Sequence, residues 1–163
     1  MTAKSNIKRC RFGRCLHETK DIDIEKEDYV KGDGASSFYH RDCKAVKDDI
    51  ETVKMLWHDH ISENVVFSQL TNIINKIIFD KHISSEYLVF AMQYVIKYKK
   101  PLKHPPGLYY IIDDSAIKAA WAKHKAKQIV GNAKFEAKTD EKTEPVFSVK
   151  RKTQGFGDIF GGK

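Results

Sequence analysis

Two short segments near the N-terminus carry all three cysteines of the chain and a histidine placed close to one of them. Four residues separate Cys10 from Cys15, and two residues separate His40 from Cys43. Thiolates and a neutral imidazole suit Zn²⁺, which binds four such ligands in a tetrahedral shell at structural sites. We therefore predict that these four side chains bind one structural Zn²⁺.

Two alternatives stay open at this stage. His17 lies two residues after Cys15, so it competes with His40 as the histidine ligand without closing a long loop. The three cysteines could also be ordinary buried thiols. A catalytic zinc is disfavoured because such a site keeps one position open to water, whereas four protein ligands are present here.

The elements that position these ligands are expected to be a β-hairpin and a helix. Residues 28–31 and 37–39 flank a Gly-Asp-Gly turn, a pattern typical of a hairpin. A helical pattern begins at Asp42, so His40 and Cys43 should lie on one face of its first turn.

The segment Phe38-Tyr39-His40-Arg41-Asp42-Cys43 resembles one half of LIM-type and poly(ADP-ribose) polymerase-type zinc fingers. The resemblance implies a treble-clef-like module that binds either protein or DNA ends. The chain departs from those families in having C-x4-C where C-x2-C is usual. A small finger followed by a helical segment also resembles short zinc-finger proteins of bacteriophages and mobile elements.

Apolar residues at steps of three and four predict four helices after the finger. The first runs from about Asp42 to Ile61, the second from Phe67 to Phe79, the third from Ser84 or Ser85 to Tyr98, and the last from Asp113 or Asp114. Residues 108–112 are expected to be a strand or a buried turn. This helical unit bears a faint resemblance to DnaD-type modules of primosome proteins.

The predicted fold class is therefore α+β and mostly α. A zinc module at 1–44 joins a helical bundle at 45–127, and a flexible, intrinsically disordered tail follows at 128–163 because its residues are small and charged.

Positive charge is concentrated rather than spread evenly. The net charge is +7, and residues 93–127 contain eight lysines against two aspartates. Such a patch predicts contact with nucleic acid, DNA rather than RNA, and tyrosines 98, 109 and 110 could stack on bases of a single strand. The predicted contacts are Arg9, Arg11, Arg14, Lys97, Lys99, Lys100, Lys103, Lys118, Lys123 and Lys125.

The C-terminal segment carries large apolar residues between glycines after a basic run. It resembles the tails by which bacterial and phage replication and transcription factors bind the sliding clamp. The resemblance implies a protein partner, the sliding clamp, and RNA polymerase is the other partner that we consider. The predicted contacts are Phe156, Asp158, Ile159 and Phe160.

These features together predict a non-enzymatic zinc-containing accessory factor of phage DNA replication or transcription. A protein-binding adaptor or inhibitor of a host protein is the first alternative, and a metal-dependent nuclease is the second. The sequence contains no phosphate-binding glycine loop and no nucleophile–base motif. It also contains no apolar run long enough to span a bilayer, so we expect no membrane contact and a location in the cytoplasm of a bacterial host.

Overall fold

The computed structural model describes residues 6–34 and 36–139, with side chains described as far as residue 130. The chain divides into two compact units, Met1–Lys125 and Ala126–Lys163. All contacts reported below lie within the first unit. The described part of the second unit is the C-terminal portion of a helix.

Two small antiparallel sheets form the N-terminal module. Strand β1 (Ile7–Arg9) pairs with β2 (Asp21–Asp23), and β3 (Tyr29–Lys31) pairs with β4 (Phe38–His40). The β3–β4 hairpin lies where the sequence predicted it. The β1–β2 pair was not predicted, because all three residues of β1 are exposed and therefore show no alternation of apolar and polar side chains. A bridge between Cys10 and Phe38 joins the two sheets.

Helix α1 (Arg41–His60) belongs both to the module and to the helical core. Cys43, in its first turn, is buried in a small cluster with Cys10, Ile22, Phe38 and Tyr39. Later turns of α1 bury Ile50, Val53 and Trp57 in the larger core. Because one continuous helix carries both sets, the module is fixed to the helical body without a linker.

The remaining helices build the larger core. Helix α2 (Phe67–Asn75) continues into a π-helical turn (Lys76–Asp80), and α3 (Ser85–Lys97) follows. A 3-10 turn (Pro105–Gly107) then leads into α4 (Leu108–Asp113) and α5 (Ser115–Thr139). Their fully buried side chains include Leu70, Ile74, Ile77, Leu88, Met92, Leu108, Ile112 and Ile117.

Predicted helix caps explain where two of these helices begin. The Ser84 hydroxyl accepts a hydrogen bond from the backbone N–H of Tyr87 at 3.3 Å at the start of α3. Asp114 accepts hydrogen bonds from the backbone N–H groups of Ala116 and Ile117 at 2.9 and 3.1 Å at the start of α5.

The prediction for residues 108–112 is wrong. They form helix α4, so the described residues contain five α-helices rather than four. A strand would need a neighbouring strand to satisfy its backbone, whereas a helix satisfies its own groups. The preceding Pro105-Pro106 pair starts a turn that leads directly into the helix. The mostly helical α+β class is otherwise as predicted.

Among the residues that the structure describes, two other than glycine have left-handed backbone conformations, and both follow helices. Lys99 has φ 51° and His82 has φ 55°. After α3, the N–H of Lys100 donates to the carbonyl of Val95, and the N–H of Lys99 donates to that of Ile96. This is the Schellman arrangement, with lysine at the position where glycine is usual.

Over the described ranges, every helix is too short or too polar to cross a membrane.

Candidate functional site

The four predicted metal ligands lie together in the N-terminal module. Each of Cys10, Cys15, His40 and Cys43 offers one ligand atom, and these four atoms all lie within 4.8 Å of one another. The three cysteines are free thiols. We call this set the metal cluster, and its geometry is compatible with one bound metal ion.

Both sheets and α1 contribute to the metal cluster. Cys10 directly follows β1, and its backbone N–H donates to the carbonyl of Lys20. His40 ends β4, and Cys43 lies in the first turn of α1, so the prediction that both would lie on the first helical turn is correct for Cys43 only. Strand β4 leads directly into α1, and at this junction the two side chains, three positions apart, lie close together.

His40 directs its two ring nitrogens to different partners. Nδ1 lies 3.4 Å from Cys15 Sγ and 3.9 Å from Cys43 Sγ, so it faces the metal cluster. Nε2 lies 3.4 Å from a carboxylate oxygen of Glu27. An imidazole that binds a metal through one nitrogen commonly gives its other N–H to a carboxylate, which fixes the ring orientation and tautomer. His40 is 3% exposed, so this orientation is sheltered from water.

His17 lies outside this group of four. Its ring stacks on that of His40 with centroids 3.8 Å apart, and its Nε2 contacts the carboxylate of Asp42 at 3.0 and 3.1 Å. His17, Asp42 and Cys43 form a second group of possible ligands. Because this group shares Cys43 with the metal cluster, an ion held by the four ligands of that cluster leaves His17 and Asp42 as outer neighbours.

The surroundings of Cys43 and Asp42 change their acidities in opposite directions. Burial raises the pKa of the Cys43 thiol to about 12, helped by the neighbouring thiols of Cys15 and Cys10. Partial burial alone would raise the pKa of Asp42, but hydrogen bonds from His17 and from the Cys43 backbone outweigh it and lower that pKa. A bound cation would reverse the balance at Cys43 and release its proton, because metals bind the thiolate.

Comparison with family models, with curated proteins and with solved structures gives no match to this chain. The resemblances to LIM-type, polymerase-type, phage and DnaD-type proteins therefore stay predictions.

A basic cleft lies beside the first cysteine of the metal cluster. It encloses about 650 Å³, and we call it the knuckle cleft. Arg9 and Arg11, both predicted nucleic-acid contacts, line it together with Lys8 and Lys20, and no acidic side chain lines it among the described residues. Arg14 lies elsewhere: it pairs with Asp80 at 4.0 Å and covers the ring of Phe79.

The predicted lysines of the helical unit divide into two kinds. Lys100 pairs with Asp114, Lys118 pairs with Asp113, and Lys125 pairs with Glu86. Over residues 6–34 and 36–139, no ion pair is found for the other four, which are Lys97, Lys99, Lys103 and Lys123. Three of the seven lysines predicted to contact nucleic acid thus have an acidic partner, which the sequence pattern did not indicate.

The predicted tail contacts Phe156, Asp158, Ile159 and Phe160 lie outside the described residues. Reasoning from the sequence missed Glu27 as the partner of His40 and Lys20 as a wall of the knuckle cleft. Lys20 directly precedes β2 and Glu27 lies between β2 and β3, so contacts distant in sequence bring both to the site and no local pattern identified them.

Proposed function

We propose that the metal cluster binds a structural Zn²⁺. With Zn–S of about 2.3 Å and Zn–N of about 2.0–2.1 Å, a tetrahedral site has S···S edges of about 3.8 Å and S···N edges of about 3.6 Å. The cluster has a Cys15–Cys43 Sγ separation of 3.7 Å and Sγ–Nδ1 separations of 3.4 and 3.9 Å. These separations between ligand atoms are close to the edges of a tetrahedral zinc site, which supports zinc as the ion.

Paired histidine variants test this proposal. Purified wild-type protein should contain one Zn²⁺ per chain by elemental analysis, and His17→Gln should keep it. His40→Gln should lose the metal or hold it far more weakly. Equal metal content in both variants would show that His40 is not a ligand. Loss of metal only in His17→Gln would assign the site to the second group, which is His17, Asp42 and Cys43.

We propose further that the protein is a non-enzymatic, zinc-containing accessory factor that binds nucleic acid, DNA in preference to RNA. The observation that carries this is the knuckle cleft, which four cationic residues line without an acidic residue among those described. Most affinity for nucleic acid comes from neutralised phosphates, and such a cleft offers several contacts at one place. A role in phage replication or transcription is the setting that the sequence resemblance favours.

Four protein ligands support a structural rather than a catalytic metal. Such a site has no open position for a water nucleophile, which a metal-dependent nuclease would need. In the same proposal, the C-terminal tail recruits a protein partner such as a sliding clamp or RNA polymerase.

A salt series on two double variants tests the nucleic-acid proposal. Arg9→Gln with Arg11→Gln removes two cations from the knuckle cleft. Lys26→Gln with Arg41→Gln removes the same charge from module side chains that pair with Asp23 and Asp28 outside it. Anisotropy of labelled oligonucleotides should show a plot of log K against log salt that is flatter by about 1.4 to 1.8 for the first variant, from about 0.7 to 0.9 per lost phosphate contact. The second should match wild type.

Either of two results would remove this proposal. Identical slopes in the two double variants would show that the cleft does not hold phosphates. No binding by wild type at low salt would leave the protein without the nucleic-acid function.

A protein-binding adaptor is the second candidate function. A shallow recess of about 450 Å³ is lined by residues of α1 and by the start of α2, including Met55, His58 and Phe67. Met55 is 64% exposed and Phe67 is 42% exposed. Exposed apolar side chains gathered at one recess favour contact with an apolar partner surface.

A further inference from the structure

A row of aromatic side chains crosses from α3 to the first half of α5. Phe90 and Tyr94 on α3, and Tyr98 directly after its last residue, follow one another at intervals of four residues, so they lie on one face. Their consecutive ring centroids are 6.4 and 4.3 Å apart. On α5, Trp121 and His124 continue the row, with centroids 5.1 and 5.2 Å from Phe90.

The rings of this aromatic row are half-buried in the middle and exposed at both ends. Phe90, Tyr94 and Trp121 are half-buried and pack against the main core. Tyr98 and His124 are exposed, and 56% of Tyr98 is open to solvent. The inner rings therefore have a structural role, but packing in the core does not account for the outer two.

Lysines stand over three rings of the row. Lys97 lies 5.5 Å from the centroid of Tyr98, Lys100 lies 5.5 Å from Tyr94, and Lys125 lies 4.8 Å from Trp121. Aromatic rings interleaved with cations are the chemistry that binds unpaired bases and their phosphates together. The surrounding segment 93–127 carries eight lysines against two aspartates, which suits a polyanion and opposes a basic partner.

We propose that the aromatic row is a stacking platform for single-stranded nucleic acid. The platform deepens the proposed nucleic-acid-binding function and rests on that function. Bases of a duplex are stacked on each other and cannot reach the rings, whereas bases of a single strand can stack on Tyr98 and on its neighbours. Lys97, for which no ion pair is found among the described residues, holds a phosphate that flanks those bases. Lys100 and Lys125 already pair with acidic side chains, so we assign them no phosphate contact. The sequence analysis named Tyr98 together with Tyr109 and Tyr110, and only Tyr98 of these three belongs to the row.

Tyr98 is the member to vary, because it is exposed at the end of α3 and its replacement leaves the core intact. Tyr98→Leu removes the ring, and Tyr98→Phe keeps it. Tyr110→Leu is the comparison variant, because the sequence pattern alone named Tyr110 as well as Tyr98, whereas Tyr110 is 81% exposed and lies outside the row. None of these variants changes net charge.

The assay is titration of full-length, zinc-loaded protein with labelled oligo(dT) and with a duplex of equal length. Loss of one stacked base should weaken oligo(dT) binding by Tyr98→Leu about tenfold or more. Tyr98→Phe and Tyr110→Leu should stay within about twofold of wild type. The salt slope of Tyr98→Leu should not change, because no phosphate contact is removed. Circular dichroism should show the same thermal midpoint for all variants.

Tryptophan fluorescence supplies a second readout. The chain has two tryptophans, and Trp57 is wholly buried, so quenching by oligo(dT) should report Trp121. Equal oligo(dT) affinity of Tyr98→Leu and Tyr110→Leu would overturn the platform. Duplex binding without oligo(dT) binding would also overturn it while leaving the proposed function intact, and no binding of either would remove both. Capture of a protein on this face, lost in Tyr98→Leu while oligo(dT) fails to bind, would reassign the row to a protein partner.

Discussion

Replacing Glu27 by glutamine is expected to weaken zinc binding without altering the fold. Glu27 touches none of the four proposed ligand atoms, but its carboxylate lies 3.4 Å from Nε2 of His40. The carboxylate favours the tautomer with the proton on Nε2, which leaves Nδ1 free to face the metal cluster. An amide can still accept this hydrogen bond but carries no charge, so the imidazole becomes a weaker ligand.

The size of the effect follows from the geometry. Loss of a carboxylate partner of a metal-bound histidine typically costs 10- to 100-fold in metal affinity. The Glu27 side chain is 43% exposed, and 3.4 Å is long for a charge-assisted hydrogen bond. Solvent screening of an exposed charge reduces its contribution, so we expect a loss near tenfold, or about 1.4 kcal/mol.

Competition titration against a chelator of known affinity measures this loss. Asp28→Asn is the matched control, because Asp28 is adjacent, carries the same charge and pairs with Arg41 rather than with a histidine. Asp28→Asn should bind zinc as wild type does. A similar loss in both variants would mean that general charge, and not the contact with His40, sets the affinity. Unchanged affinity in Glu27→Gln would refute the positioning role.

Three other predictions concern stability. Lys99→Gly should raise the free energy of unfolding by about 0.5–1 kcal/mol in urea titrations, because glycine adopts the left-handed conformation at φ 51° without strain. Ser84→Ala should lower it by about 1 kcal/mol in the same assay, because the cap of α3 is lost. Tyr87→Phe should cost about 1–1.5 kcal/mol through the lost 2.9 Å hydrogen bond from its buried hydroxyl to the carbonyl of Ile112. Burial, with the nearby charges of Asp113 and Asp114, raises the pKa of Tyr87 in the folded state. The stability that the Tyr87 hydroxyl contributes is thus complete below the pKa of the unfolded state and is lost as pH rises through the pKa of the folded state. The unfolding curves of wild type and Tyr87→Phe should therefore converge at alkaline pH.

Local sequence patterns identified the helices because the buried face of a helix places an apolar residue at every third or fourth position. This spacing does not depend on which residues occupy the exposed face. The stripe of α1, including Cys43, Ile50, Val53 and Trp57, is buried as its spacing predicted. The pattern failed at β1 and at α4. Three exposed residues carry no alternation in β1, and five consecutive apolar or aromatic residues at the start of α4 suit either a strand or a helix.

The side chains able to bind a metal, and their pairing as Cys10 with Cys15 and His40 with Cys43, followed from the sequence alone. Residue type and short-range spacing are sufficient for that, because each pair lies within a few residues. Which histidine faces the cluster was decided by the tertiary structure, since His40 Nδ1 lies 3.4 Å from Cys15 Sγ whereas His17 Nε2 contacts Asp42. The tertiary structure also decided which lysines are ion-paired and which aromatic rings are in contact. Acidic side chains pair with Lys100, Lys118 and Lys125, and Phe90 contacts Trp121. These contacts join residues that are 5 to 39 positions apart. Such contacts depend on how helices pack, which no local pattern encodes.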